Sequence, residues 1–364
     1  MYPLARRILF HLDAERAHHL ATMAGRVGQV VARSTLERQF SFESERLACD
    51  VMGLHFDNVI GLAAGMDKNA VLVPFWRLAG MGFTEIGSVS ARKCRGNRRP
   101  RAFRLPLDEA LVNRMGLNNQ GADRIARRVA RFDRSRPLAI NLVKTHDASI
   151  AGQAAVDDFV ASFKRLAPLA SFIVLNLSCP NTAEGKTFED PNTLDDLLIA
   201  IMAERAKVAP GVPVLLKLSP PVSERIVFDS AVDEIVAVGA SHGVAGYVAT
   251  NTASDRDGLV TPEDQVERFG MGGLSGRPLE GRATRLVRYL FRKTEGRVPI
   301  IGVGGIFSAD DAYRKIRAGA SLVELYTGLV FEGPGLVRRL KEDLLVLLDR
   351  DGIDRIEDAV GLDA

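Results

Sequence analysis

Cys179 stands in the run NLSCPNT (residues 176–182), between Ser178 and Pro180 and flanked by Asn176 and Asn181. A free thiol has a pKa of about 8.5, lowered by nearby positive charge, so this side chain can take a proton from a substrate. No histidine is placed to activate it as a hydrolase nucleophile, and proton abstraction is the better fit. A buried and inert cysteine is the plainer alternative. Lys68 and Lys217 are the second feature. Burying either unpaired is costly, so each calls for an anionic partner: a substrate carboxylate, the electron-rich edge of a reduced ring cofactor, or a salt bridge to a carboxylate such as Asp67. The glycines from Gly302 to Gly305 and the pair Thr327 and Gly328 suit phosphate, because exposed backbone N–H groups can cradle an anion. Tight turns alone also account for each cluster. The cluster Gly270–Gly276 does not keep dinucleotide-binding spacing.

These residues share a position relative to the elements that must carry them. Eight short apolar runs follow residue 58: Val59–Ala64, Phe83–Ser88, Leu138–Val143, Phe172–Leu177, Pro213–Leu218, Gly246–Thr250, Pro299–Val303 and Ser321–Leu325. They are near-continuously apolar, as strands buried on both faces are. Helical patterns such as Val156–Leu169, Leu194–Val208 and Val222–Val238 alternate with them. The pattern predicts an α/β fold of the (β/α)8 barrel (TIM barrel) type, whose chemistry sits at the carboxyl ends of the strands. A doubly wound sheet would need a nucleotide-binding turn after its first strand, and none is present. Reading off the strand ends gives Ala64 to Asn69, Ser88, Asn141, Asn176 to Thr182, Lys217, Thr250 to Thr252, Gly302 to Gly305 and Tyr326 to Gly328. The accumulation of asparagines, hydroxyls, lysines and one thiol there carries the inference.

The composition fits an enzyme of this size. Of 364 residues, 46% are hydrophobic and 26% charged, which excludes a disordered chain, a collagen or a coiled coil. Forty-eight basic residues against 45 acidic ones give +3, no signal for nucleic acid. Three scattered cysteines form no disulfide framework and no zinc or iron–sulfur motif, so no metal is expected and a reducing compartment is. No apolar run is long enough to span a membrane, and no signal peptide is read at the start. Residues 1–46 form a separate amphipathic unit before a barrel of residues 47–364. Leu4, Ile8, Leu9 and Leu12, then Ala17, Leu20, Ala21, Ala24, Val27 and Val31, recur at helical spacing among Arg6, Arg7, Arg16, Arg26 and Arg33. Two short basic helices are expected, the second capped by Asp13. They could lie on a membrane surface or simply cap the barrel.

Taken together, the runs GLAAGMDK (61–68), NRMGLNN (113–119), NLSCPNT (176–182), TNT (250–252), GGLSGRPL (272–279) and IIGVGG (300–305) resemble dihydroorotate dehydrogenase, in order and over nearly the whole chain. The opening, from Tyr2 to His18, is similar to the helical extension of the quinone-using, membrane-associated class 2 branch. The resemblance implies an FMN enzyme that oxidises dihydroorotate to orotate in pyrimidine biosynthesis, peripheral on the cytoplasmic side of the membrane. Ala64, Gly65, Met66, Asp67, Lys68, Ser88, Asn141, Asn176, Lys217 and Thr250 would hold the isoalloxazine and ribityl parts. Gly276, Gly305, Tyr326 and Thr327 would complete the FMN site at its phosphate. Lys68, Asn113, Arg114, Met115, Gly116, Leu117, Asn176, Asn181, Asn251 and Thr252 would hold the substrate, and Cys179 would take the C5 proton as C6 gives a hydride to the flavin. The N-terminal helices would form the quinone entrance.

The chain also departs from the family pattern. Class 2 enzymes usually carry serine where Cys179 stands, and the thiol is a class 1 trait, so the branch features are mixed. Ala183 to Lys186 replace the usual Pro-Gly-Leu-Arg, Leu117 replaces a phenylalanine, and Val143 replaces a glycine. Such changes around a kept scaffold also suit a paralogous flavin oxidoreductase acting on another ring. A flavin-binding protein without turnover is a third reading, opposed by the intact Lys68, Lys217 and Cys179.

Overall fold

The aliphatic and aromatic side chains of the eight runs need burial on both faces, and a closed parallel barrel gives them that. In the computed structural model, which describes residues 2–177, 187–220 and 230–364, the runs form strands at Ile60–Leu62, Phe83–Val89, Leu138–Leu142, Phe172–Asn176, Val214–Leu218, Gly246–Ala249, Ile300–Val303 and Leu322–Leu325. Each pairs in parallel with its neighbours in chain order, and the last pairs with the first to close the barrel. The register sets Asn176 beside Lys217, and Lys217 beside Val248, at the carboxyl ends of strands four to six. The expected helices are present at Gln153–Leu166 and Pro191–Val208, and the helix expected from Val222 is described from Ser230 to Ser241.

Aromatic packing closes the amino-terminal end of the barrel. A short hairpin, Cys49–Val51 with Leu54–Phe56, delivers Phe56 onto Phe83 and Phe172, the first residues of strands two and four. Gly61 makes room for the Phe83 ring, which a Cβ there would meet at 2.2 Å. With that end filled, the carboxyl end remains for a ligand.

Three segments at that end form an antiparallel sheet absent from the expected pattern: Ala102–Leu105, Ala110–Asn113 and Gly273–Gly276. Its own small core joins Leu105, Val112, Leu274 and Leu279. Near it lie three N-terminal helices rather than the two expected: α1 (Tyr2–His11), α2 (Ala14–Val31) and α3 (Arg33–Phe40). The Asp13 carboxylate caps α2 by accepting from the backbone of Glu15 and Arg16. Gly25 of α2 lies against Leu72 and Phe75, and Gln29 bonds the backbone of Val71 and Phe75. The Glu15 carboxylate holds the nearly buried Arg101 at 2.6 Å, which ties α2 to the antiparallel sheet. Leu4, Ile8, Leu20, Met23, Val27, Val30 and Val31 are left exposed on α1 and α2. Among the described residues no helix is long and apolar enough to cross a membrane.

Candidate active site

The strand ends converge on one polar cavity. Ala64, Gly65 and Lys68 come from the first strand end, Ser88 from the second, and Asn176, Lys217 and Thr250 from the fourth to the sixth. Asn251 and Thr252 follow, and Gly276, Gly305, Tyr326 and Thr327 line the opposite side. The antiparallel sheet and the loop after it add Asn113, Met115 and Leu117. Leu117 adopts a left-handed backbone (φ 56°), which follows Gly116 in the same region. A hydrogen-bonded line crosses the mouth: the Asn176 amide donates to the Ser88 hydroxyl at 3.1 Å, and the Asn251 amide donates to Asn176 Oδ1 at 3.1 Å. Side chains fixed by one another in this way present a pre-set array to a flat, amide-rich ring.

Several expected site residues point elsewhere. The Asp67 carboxylate accepts from the backbone N–H groups of Val71 and Leu72 and so shapes the turn after the first strand. Arg114 donates to the carbonyls of Pro100 and Phe269 and lies over the Phe103 ring. Gly116 packs on Asn97 and its carbonyl meets the His146 ring at 3.0 Å. Met66 lines a neighbouring cavity. Asn141 keeps its place in the barrel floor, its amide donating to Glu85 at 2.7 Å and its Oδ1 without a partner among the described residues. Cys179 and Asn181, with residues 183–186, lie outside the described residues.

The two lysines differ. Lys68 Nζ donates to the Gly65 carbonyl at 2.6 Å and makes no salt bridge with Asp67. Burial, with the charge of Arg101, pushes its pKa down to about 8. Lys217 is deeply buried, and there the salt-bridge alternative holds: its Nζ is 3.1 Å from Glu85 and 3.6 Å from Glu324. Burial alone would lower its pKa, but the two carboxylates outweigh it and the net shift is upward. Neither glutamate was singled out in the sequence, although an acid inside an apolar strand run was a signal available there.

A second, more apolar cavity runs between the N-terminal helices and the barrel. Leu9, Ala14, Ala17, His18, Ala21 and Thr22 form one wall, and Met66, Leu72, Phe75 and Trp76 form another. Among its polar groups, Tyr2, Glu15, His18 and Arg104 were not expected as site residues from the sequence. Arg104 donates to the Leu12 carbonyl at 2.8 Å and stacks over Phe10. His18 lines the cavity and is exposed to solvent, while loss of hydration from the neighbouring protein, with Lys68 beside it, lowers its pKa to about 4. The ring is neutral at pH 7. Lys68, Asn113, Met115, Ser275 and Tyr326 line both cavities and form the wall between them.

Comparison with known proteins agrees with this arrangement. The model of the dihydroorotate dehydrogenase family matches residues 46–348. A protein of Anaeromyxobacter dehalogenans named dihydroorotate dehydrogenase (quinone) is 44% identical over 369 residues, covering 100% of this chain and 97% of that one. One of the same name from Deinococcus deserti is 43% identical and covers 98% of each. The ligand-free dihydroorotate dehydrogenase structure from Eimeria tenella superposes with a TM-score of 0.86 at 32% identity, over 96% of this chain and 99% of that one. Its complex with ferulenol gives 0.85. With the matched model spanning the barrel and full-length relatives that all carry the quinone name, the chain belongs to the dihydroorotate dehydrogenase family, in its quinone-dependent branch.

Proposed function

We propose that the chain oxidises dihydroorotate to orotate in pyrimidine biosynthesis, with FMN in the barrel mouth and a quinone reached through the second cavity. The observation that carries this reading is the pair of cavities meeting at one wall, the barrel side the more polar and the other the more apolar. Two reactants of opposite character can then approach one cofactor from different sides.

The residues fit the cofactor. Gly276 (φ +109°), Gly304 (φ +118°) and Gly305 (φ +73°) bring bare backbone to the cavity, and a Cβ on Gly276 or Gly305 would collide at 2.3 Å. Such a surface, with the Thr327 hydroxyl beside it, suits a phosphate. Asn141 Oδ1 in the barrel floor lacks a hydrogen-bond partner among the described residues, as a ring donor would require. When bound here, FMN would supply the hydride acceptor for C6 of the substrate. Lys217 would face the negative charge that reduction brings, and Ser88, Asn176 and Thr250 would hold the ring edge. Lys68 would bind the substrate carboxylate, with Asn113, Asn251 and Thr252 on its amide groups. From the family resemblance, Asn181 joins them and Cys179 takes the C5 proton. Donors placed where enolate charge develops lower the barrier to that transfer.

On the quinone side, the neutral His18, Tyr2 and Arg104 offer hydrogen bonds among apolar walls. The exposed apolar residues of α1 and α2, interleaved with arginines, support peripheral attachment at the cytoplasmic face of a membrane. Anaerobic mixing of the purified protein with dihydroorotate, followed by flavin absorbance, tests the reading. Rapid bleaching is expected, and a yellow protein that stays oxidised overturns it.

A further inference from the structure

Glu85, Lys217 and Glu324 project from strands two, five and eight into the interior of the barrel, and all three are buried. Lys217 and Glu324 also form part of the floor of the polar cavity. One ammonium lies within 4 Å of two carboxyl groups, 3.1 Å from Glu85 and 3.6 Å from Glu324. Asn141 completes the set with a neutral amide bonded to Glu85. Both oxygens of Glu324 and the second oxygen of Glu85 have no hydrogen-bond partner among the described residues.

Were both acids ionised, the site would hold a net negative charge on buried side chains with unmatched acceptors. Two carboxylates sharing such a site cannot both ionise at ordinary pH. A single proton removes the excess charge and turns one orphaned acceptor into a donor. Burial and the Glu85 charge push Glu324 up well above the usual carboxyl range, in the same direction. The proton belongs to the pair, not to either residue.

We propose that Glu85 and Glu324 share one proton above Lys217, keeping the floor of the flavin pocket neutral and coupling the charge of the flavin to a buried titration. The coupling rests on the FMN reading above, whereas the shared proton does not. The step is a simple one: at higher pH a carboxylic acid O–H gives its proton to solvent and leaves a second carboxylate. That added charge under the ring opposes reduction. The oxidised protein therefore releases the proton at lower pH than the reduced protein does. Between those two pH values, reduction takes up one extra proton per electron pair. Glu324 and Glu85 act here through Lys217 and the local field, as positioning residues.

Two measurements on the full chain test this. Infrared spectra in H2O and D2O should show the carbonyl stretch of one buried protonated carboxylic acid in the wild-type protein at neutral pH. Glu324→Gln and Glu85→Gln should each abolish it, because the remaining acid faces Lys217 alone and ionises. In the holoprotein, the flavin midpoint potential plotted against pH should steepen by one proton per electron pair over a limited window. The same plot for Glu324→Gln should be straight, while bound-flavin absorbance reports that the pocket is intact. A wild-type protein without the band, or a band kept in both variants, overturns the shared proton. Parallel potential lines in wild type and Glu324→Gln overturn the coupling. If Glu324→Gln does not fold, Glu85→Gln supplies both readouts. A protein that never holds flavin would refute the FMN reading, and the infrared result would still decide the proton.

Discussion

Replacing Lys68 by methionine separates its charge from its shape. In the structure Nζ spends one N–H on the Gly65 carbonyl at 2.6 Å, which leaves two for a carboxylate in the polar cavity. A charge-assisted hydrogen bond of this kind contributes about 1.5–3 kcal/mol, or a factor of roughly 10–100 in affinity. Lys68→Met should weaken orotate by that factor while the flavin stays bound. The depressed pKa adds a second signature. A lysine that titrates at about 8 is charged below that pH and loses its charge above it. Orotate affinity should be level up to about pH 8 and fall up to tenfold per unit beyond it, toward the value of the methionine variant, which itself stays flat. Binding is read from the perturbed flavin spectrum between about pH 7 and 9, in a Cys179→Ser background so that no thiol titrates in this range. Because orotate is the product, no proton abstraction enters the measurement. A wild-type affinity that is constant across this range, or a methionine variant that binds as tightly, would refute the assignment of Lys68 to the carboxylate.

Cys179→Ala should slow flavin reduction by dihydroorotate by a factor of about 10²–10⁴, the usual worth of a positioned base, while Cys179→Ser keeps measurable turnover; stopped-flow reduction at the wild-type rate in the alanine variant would exclude the role. Ala17→Trp places an indole in the wall of the apolar cavity, where Ala17 is already buried. Reoxidation by a long-chain quinone should drop sharply while anaerobic reduction by dihydroorotate keeps its rate, and equal losses in both half-reactions would contradict two separate cavities. The nearly buried Arg282 grips Asp255 with two bonds of 2.7 Å and holds its carboxyl below the usual range. Arg282→Met should lower stability by about 2 kcal/mol. The wild-type contribution is full above the unfolded-state pKa of the aspartate and fades as pH falls through the folded one, so urea midpoints of the two proteins should converge in acid. Parallel midpoints would contradict this.

The barrel was legible in the sequence because its strands are buried on both faces, and continuous apolar runs record that directly. The antiparallel sheet was not. Gly273–Gly276 is glycine-rich and pairs with Ala110–Asn113 more than 150 residues away, so neither periodicity nor local turn chemistry announces it. The third helix, Arg33–Phe40, carries mostly polar side chains and lacks the apolar stripe that marks α1 and α2. At the site, residue types at strand ends located the cavity, but side-chain direction depends on partners the sequence does not align. Asp67 was drawn to the free N–H groups of the following turn, and Arg114 to carbonyls at residues 100 and 269. Glu85 and Glu324 escaped notice because attention to strand ends passes over strand middles, where a buried acid is the more informative residue.

The thiol at position 179 and the helical extension pull toward different branches only if both report on the same half-reaction, and the proposed function assigns them to different ones. In the proposed function, proton abstraction belongs to the barrel cavity, where Lys68, Asn113 and Asn251 would meet the substrate carboxylate and amide groups. A long apolar acceptor would enter by the other cavity, one wall of which is built from α1 and α2. The boundary the two cavities share consists of Lys68, Asn113, Met115, Ser275 and Tyr326. The relatives that bear the quinone name match this chain over 98–100% of its length, extension included. On the proposed assignment, base and acceptor meet the flavin through different walls, and the wall built from the N-terminal helices is the acceptor's.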